Sequence, residues 1–205
     1  MKLARWNAGD RDFHGVIEGT QAFPASANFS ASYPDLDAVL AAGATQALAR
    51  DARVQPAMEI SEISWRVPLS RHARVFCVGI NFPKRNPVDQ TDGRPDNIIL
   101  FAKLDGTLVA HGEALEIPGG AAANSFDYEG EIGVVIGTPA RDVSPGQALA
   151  HVAGYTVVND GSVREWQKHS VHAGKNFANS GACGPWIVTA DEIADPLTLR
   201  QVTRL

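Results

Sequence analysis

Phe126-Asp127-Tyr128-Glu129-Gly130-Glu131-Ile132-Gly133-Val134-Val135-Ile136-Gly137 sets two carboxylates inside a segment that otherwise reads as a buried strand. Side chains alternate faces along a strand, so Glu129 and Glu131 point the same way, with Cα atoms roughly 7 Å apart. Two like charges on one face of an apolar strand are costly unless one is protonated or a cation lies between them. Carboxylate oxygens suit hard divalent ions, so the pair predicts Mg²⁺ or Mn²⁺ at Glu129 and Glu131, with Ca²⁺ as a further candidate.

A third carboxylate extends the set. Asp160 closes Gly154-Tyr155-Thr156-Val157-Val158-Asn159-Asp160, between an apolar strand and the helix-start pattern Ser162-Val163-Arg164-Glu165. It serves either as part of that helix-start turn or as the third ligand of a metal site with Glu129 and Glu131. Lys175, in Ala173-Gly174-Lys175-Asn176-Phe177, reads either as a solvated surface lysine or as a group that holds a substrate carboxylate or a developing oxyanion. Lys103 ends the apolar run Ile98-Ile99-Leu100-Phe101-Ala102 and carries the same two readings, solvated strand end or substrate contact. His169 and His172 form an HxxH pair without a third nitrogen or sulfur ligand at suitable spacing, so they are expected to face solvent rather than hold zinc.

Around these residues the chain reads as an α+β, β-rich architecture. Residues 1–67 form a small N-terminal α/β module: strands at Lys2–Trp6 and His14–Glu18, then a helix from Pro34 to about Ala52 with Ser32 and Asp35 as start signals. Pro68 to Ala73 reads as a linker into a second domain over 68–205. There strands are expected at Val75–Ile80, Ile98–Lys103, Leu115–Ile117, Glu129–Ile136, Val152–Val158 and Trp186–Thr189. Short helices are expected after Ser144-Pro145-Gly146-Gln147 and after Asp160-Gly161.

Composition narrows the function classes. Eighteen Lys plus Arg against 23 Asp plus Glu give a net charge of −5, and no basic run interleaves with aromatics, which argues against nucleic acid. No apolar run approaches the ~20 residues of a membrane span. The opening Met1-Lys2-Leu3-Ala4-Arg5-Trp6-Asn7 is too polar for a signal peptide, so a cytoplasmic location is expected. Cys77 and Cys183 read as small buried hydrophobes in a reducing compartment, with a catalytic thiol at Cys183 as the alternative.

Taken in order, Cys77-Val78-Gly79-Ile80-Asn81-Phe82, Phe101-Ala102-Lys103, Asp127-Tyr128-Glu129-Gly130-Glu131, Gly154-Tyr155 through Asn159-Asp160-Gly161-Ser162-Val163-Arg164-Glu165, and Gly174-Lys175-Asn176-Phe177 with Gly184-Pro185 resemble the fumarylacetoacetate hydrolase family over about Val75 to Leu205. The resemblance implies a mixed β-sandwich roll, usually a homodimer, that acts on small 2-oxo or β-diketo acids. It matches Glu129, Glu131 and Asp160 to the family's metal ligands and Lys175 to its active-site lysine. It also implies a reaction through a metal-stabilised enolate: C–C bond hydrolysis, or alternatively isomerisation, hydration or decarboxylation in aromatic catabolism.

Two departures bear on the reaction. Hydrolytic members carry a His and a Glu on the loop after an Asn-Tyr, whereas the same register here reads Asn81-Phe82-Pro83-Lys84-Arg85-Asn86-Pro87-Val88. Arg85 takes the place of the His and Val88 that of the Glu, and an Arg cannot serve as a base near neutral pH. Arg85 is instead expected to grip a distal substrate carboxylate with its planar fork. The second departure is at Leu199-Arg200-Gln201-Val202-Thr203-Arg204-Leu205, where family members continue with further strands. The domain therefore reads as truncated, with unpaired edges that favour aggregation, and a catalytically silent family member is a further alternative.

Overall fold

An antiparallel meander, β1 (Lys2–Ala8), β2 (Arg11–Glu18) and β3 (Gln21–Pro24), begins the chain in the computed structural model, which describes residues 1–70, 73–81 and 95–204. β1 is buried on both faces. Leu3 packs with Val16, Leu36, Val39, Leu48 and Ile187, while Ala4 and Trp6 pack on the opposite side with Ile17 and Ala22. Each fully buried side chain of this size contributes about 1.5–3 kcal/mol of hydrophobic stabilisation, before the entropy of ordering it.

Three short helices cover the Leu3 face: α1 (Ala27–Ser32), α2 (Leu36–Ala41) and α3 (Thr45–Ala52). The single helix expected from Pro34 to Ala52 is thus two. Gly43 takes a left-handed φ of +62°, and Ala44 N–H turns back to the Val39 carbonyl at 2.9 Å, which breaks the axis. Its start signal is also narrower than expected. Asp35 alone caps α2, accepting from Ala38 N–H at 2.8 Å, while Ser32 belongs to the end of α1.

β4 (Met58–Glu59) and β5 (Ser64–Arg66) add to β3 and β1. The segment that follows is held in place: Arg5 Nη1 donates to the carbonyls of Val67 and Leu69, and Asp37 accepts from the Ser70 N–H and hydroxyl. β6 (Val75–Gly79) and β7 (Ile99–Lys103) form a separate two-stranded antiparallel sheet. β8 (Leu108–Val109), β9 (Phe126–Asp127), β10 (Gly130–Ile136), β11 (Val152–Asn159), β12 (Ser162–Val163), helix α4 (Val171–Lys175), β13 (Gly181–Cys183) and β14 (Trp186–Thr189) complete the described elements.

The large sheet runs β4-β3-β2-β1-β14-β11-β13-β8, with β5 on β1 and β10 on β11. It is mixed, because β13 and β8 pair in parallel while the other ladders are antiparallel. It also runs across the junction expected near residue 67, through Lys2 opposite Val188 and Ala4 opposite Trp186. The fold is therefore strand-rich with few helices, as expected. No helix among the described residues is long and apolar enough to cross a membrane.

Some local expectations fail. Leu115–Ile117 forms no strand. Ser162 is no helix cap: it pairs with Asp127 in the β12–β9 ladder, and its hydroxyl donates to the Asp160 carbonyl at 2.9 Å. The residues after it, Arg164–Lys168, make a 3₁₀ turn, as do Pro145–His151 after Ser144. β10 pairs only with β11 among the described residues and turns Ile132, Val134 and Ile136 outward, where all three are exposed.

Candidate metal centre

The β10–β11 ladder brings Glu131 and Asp160 within reach of one another, and Glu129 joins Asp160 through a shared Lys175 ammonium. Gly130 lies opposite Asn159 and Glu131 opposite Val158. Just beyond the ladder, Asp160 N–H donates to the Glu129 carbonyl at 2.8 Å and Glu129 N–H donates to Asn159 Oδ1 at 3.0 Å. These two bonds fix the main chain that carries Glu129 and Asp160. Gly161 matters to the same corner: a Cβ there would collide with the Ser180 carbonyl, so no other residue lets the two segments approach this closely.

Asp160 is fully buried and meets two buried lysines. Lys175 Nζ donates to Asp160 Oδ2 at 2.8 Å and to Glu129 Oε2 at 2.6 Å, and Lys103 Nζ lies 2.9 Å from Asp160 Oδ1. Lys103 Nζ also donates to the Lys175 carbonyl. Both lysines are thus inside the centre, and the solvated reading of each fails. Lys175 ends α4, whose cap Ser170 accepts from Ala173 N–H at 3.0 Å, and its ammonium lies 5.3 Å from the centroid of Phe101.

Arg164 supplies a third cation that the sequence reading passed over. Its Nε and Nη2 reach Asp127 Oδ2 at 2.9 and 2.7 Å, and its Nη1 donates to Glu129 Oε1. The corner therefore holds four carboxylates, Asp127, Glu129, Glu131 and Asp160, against three cations, Lys103, Lys175 and Arg164. Glu131 is the one carboxylate for which the described residues make no ion pair. Burial, then the charges of Asp160 and Glu129, push its pKa up to about 7. That unmatched charge is the physical ground for a cation here. The missed signal for Arg164 was the same imbalance, since three acids at 127, 129 and 131 need counter-charges.

Cys77, from the neighbouring β6, completes a group with Glu131 and Asp160 in which the sulfur and one oxygen of each carboxylate lie within 4.8 Å of one another. Burial, with Asp160 and Glu131 adding to it, raises the Cys77 thiol to about 12, so it stays protonated at neutral pH. Burial raises Cys183 to about 11, which removes the thiolate that a catalytic role would need. His169 and His172 are exposed, as expected, and His169 packs edge-on against Trp166. Arg85 lies outside the described residues.

Comparison with known proteins points one way. The family description "Fumarylacetoacetate (FAA) hydrolase C-terminal" matches residues 74–205. A Burkholderia ambifaria relative whose name goes no further than hydrolase is 33% identical over 204 residues, which cover 97% of this chain and 70% of the relative. A fumarylacetoacetate hydrolase from Exiguobacterium antarcticum superposes with a TM-score of 0.75 at 30% identity, covering 96% of this chain and 69% of that one. A maleylpyruvate hydrolase from Sphingobium, solved with manganese(II) ion and pyruvate, shares the fold with a TM-score of 0.70 at 22% identity, covering 96% and 70%.

Proposed function

The chain belongs to the fumarylacetoacetate hydrolase family, an enzyme family, and from that premise we propose that it is a divalent-metal enzyme for a small 2-oxo dicarboxylic or acylpyruvate-like acid. The observation that carries this reading is the approach of Glu131, which has no counter-charge among the described residues, to the buried Asp160. Cys77, the third member of their group, stays protonated, and carboxylate oxygens fit a hard ion, so Glu131 and Asp160 with the adjacent Glu129 would hold Mg²⁺ or Mn²⁺, with Ca²⁺ a weaker candidate. When bound, such an ion polarises carbonyl oxygen as a Lewis acid.

The chain's own residues then divide the remaining work. Lys175 presents an ammonium at the edge shared by Glu129 and Asp160, where it can meet a substrate carboxylate or the negative charge that develops on a ketone oxygen. Lys103, proposed from sequence as a substrate contact, spends its ammonium on Asp160 and on the Lys175 carbonyl instead. Arg164 holds Glu129 by one oxygen, while the other accepts from Lys175. Arg85, by its place in the sequence, would grip the distal carboxylate of a dicarboxylic substrate.

The test is a panel of acylpyruvates and 2-oxo dicarboxylates incubated with Mg²⁺ or Mn²⁺, followed by loss of enol absorbance. Turnover of at least one member is expected. Stoichiometric metal binding with no turnover of any member overturns the substrate class. One observation favours a second reaction on the same acids. Arg85 stands where hydrolytic members place a His, and without that base isomerisation or decarboxylation is the simpler outcome. Product analysis separates the reactions, since hydrolysis alone yields two acids.

A further inference from the structure

Lys103 and Asn176 hold each other's neighbours. Lys103 Nζ donates to the carbonyl of Lys175, the residue before Asn176. In return, the Asn176 carboxamide spans the backbone on both sides of Lys103: Oδ1 accepts from Leu104 N–H at 2.7 Å and Nδ2 donates to the Ala102 carbonyl at 2.9 Å. Nδ2 also donates to the His172 carbonyl at 3.0 Å, one turn back in α4. The end of β7 and the end of α4 are therefore joined by side chains acting as a substitute for a strand ladder.

This matters because Lys175 is long and flexible, and its ammonium is useful only where Glu129 and Asp160 meet. Fixing its main chain on two sides fixes where the ammonium can reach. We infer that Lys103 and Asn176 form a reciprocal clasp that positions Lys175, and that both are positioning residues and not substrate contacts. The inference rests on the proposed role of Lys175 but adds two residues that have no contact with substrate in that role. A misplacement of about 1 Å in a reacting group is enough to cost about 100-fold in rate, so the clasp need only loosen for activity to fall.

The experiment uses the full chain in chelator, with neither metal nor substrate. A lysine-acylating reagent is applied to wild type, Asn176→Ala and Lys103→Met, and acylation of Lys175 is read by peptide mass spectrometry. Alkylation of Cys77, buried in β6 beside β7, serves as the control for general loosening. Wild-type Lys175 is expected to be protected, being 4% exposed. In both variants its acylation should rise at least tenfold while Cys77 remains unalkylated. Unchanged acylation of Lys175, or a rise matched by Cys77, overturns the clasp. So does failure of both variants to fold, which would make the contacts structural only. Wild type that binds neither Mn²⁺ nor pyruvate in a separate titration would defeat the proposed function, while the acylation result would still decide the clasp.

Discussion

Lys175 Nζ lies 2.8 Å from Asp160 Oδ2, and both side chains are almost wholly out of water, 5% and 0% exposed. In this arrangement the ammonium does for the carboxylates what a divalent ion would do, matching charge that burial would otherwise penalise. It shares that duty with Lys103 on the opposite oxygen of the same carboxylate.

Removing Lys175 should therefore cost stability first and activity second. Lys175→Met leaves Asp160 with one ammonium and Glu129 with Arg164 alone, and breaking a buried pair from one side costs about 3–5 kcal/mol. Thermal melts in chelator should show this loss. Added Mn²⁺ should stabilise the variant more than it stabilises wild type, because the ion then answers a larger charge deficit. An equal response in both proteins would separate Lys175 from the metal site.

The pH dependence follows from Glu131. The unfolded chain gives up this proton near 4.5 and the folded, metal-free chain near 7. Between those values folding takes up a proton, so metal-free stability should fall as pH rises and should level off above about 7. Mn²⁺ affinity should strengthen over the same range, since the ion and the proton compete for one carboxylate. Melting temperatures in chelator at several pH values, with Glu131→Gln as the reference, check the slope. The variant should lack it.

Glu131→Gln tests the centre more directly. The amide keeps the shape but loses the unmatched charge, so the rise in melting temperature produced by Mg²⁺ or Mn²⁺ should vanish. A metal response equal to that of wild type would remove Glu131 from the ligand set.

Core and centre should be separable by mutation. Leu48 is fully buried against Leu3, Val16 and the α2 side chains, so Leu48→Ala should cost about 2–5 kcal/mol. Its metal response should persist, because Leu48 packs among Leu3, Val16, Leu36 and Val39, and none of the carboxylates of the centre belongs to that cluster. Denaturant unfolding with and without Mn²⁺ measures both quantities.

Period and charge made much of this legible in the sequence. Alternation placed Glu131 on an inward face of β10, and the turn after Asn159 put Asp160 within reach of it. What escaped were contacts that residue spacing does not record, some local and some distant. Gly43 breaks a pattern with good helical spacing only because Ala44 can turn back onto Val39. Ser162 and Glu165 have the spacing of a helix cap, yet Ser162 pairs with Asp127 across 35 residues. Lys103 gave no local sign that its partner would be the main chain of Lys175. Nothing in the spacing of Arg164 announced that it would join Asp127 to Glu129.

β10 serves two surroundings at once. Glu131 points into the charged centre, while its neighbour Ile132, with Val134 and Ile136, points out of the sheet at an edge that pairs with no strand among the described residues. Anything that settles on that edge, a second molecule or a detergent included, pulls on the backbone that sets the carboxylate. Metal titrations therefore need more than one protein concentration, because a shift in self-association will register at Glu131 as a shift in affinity.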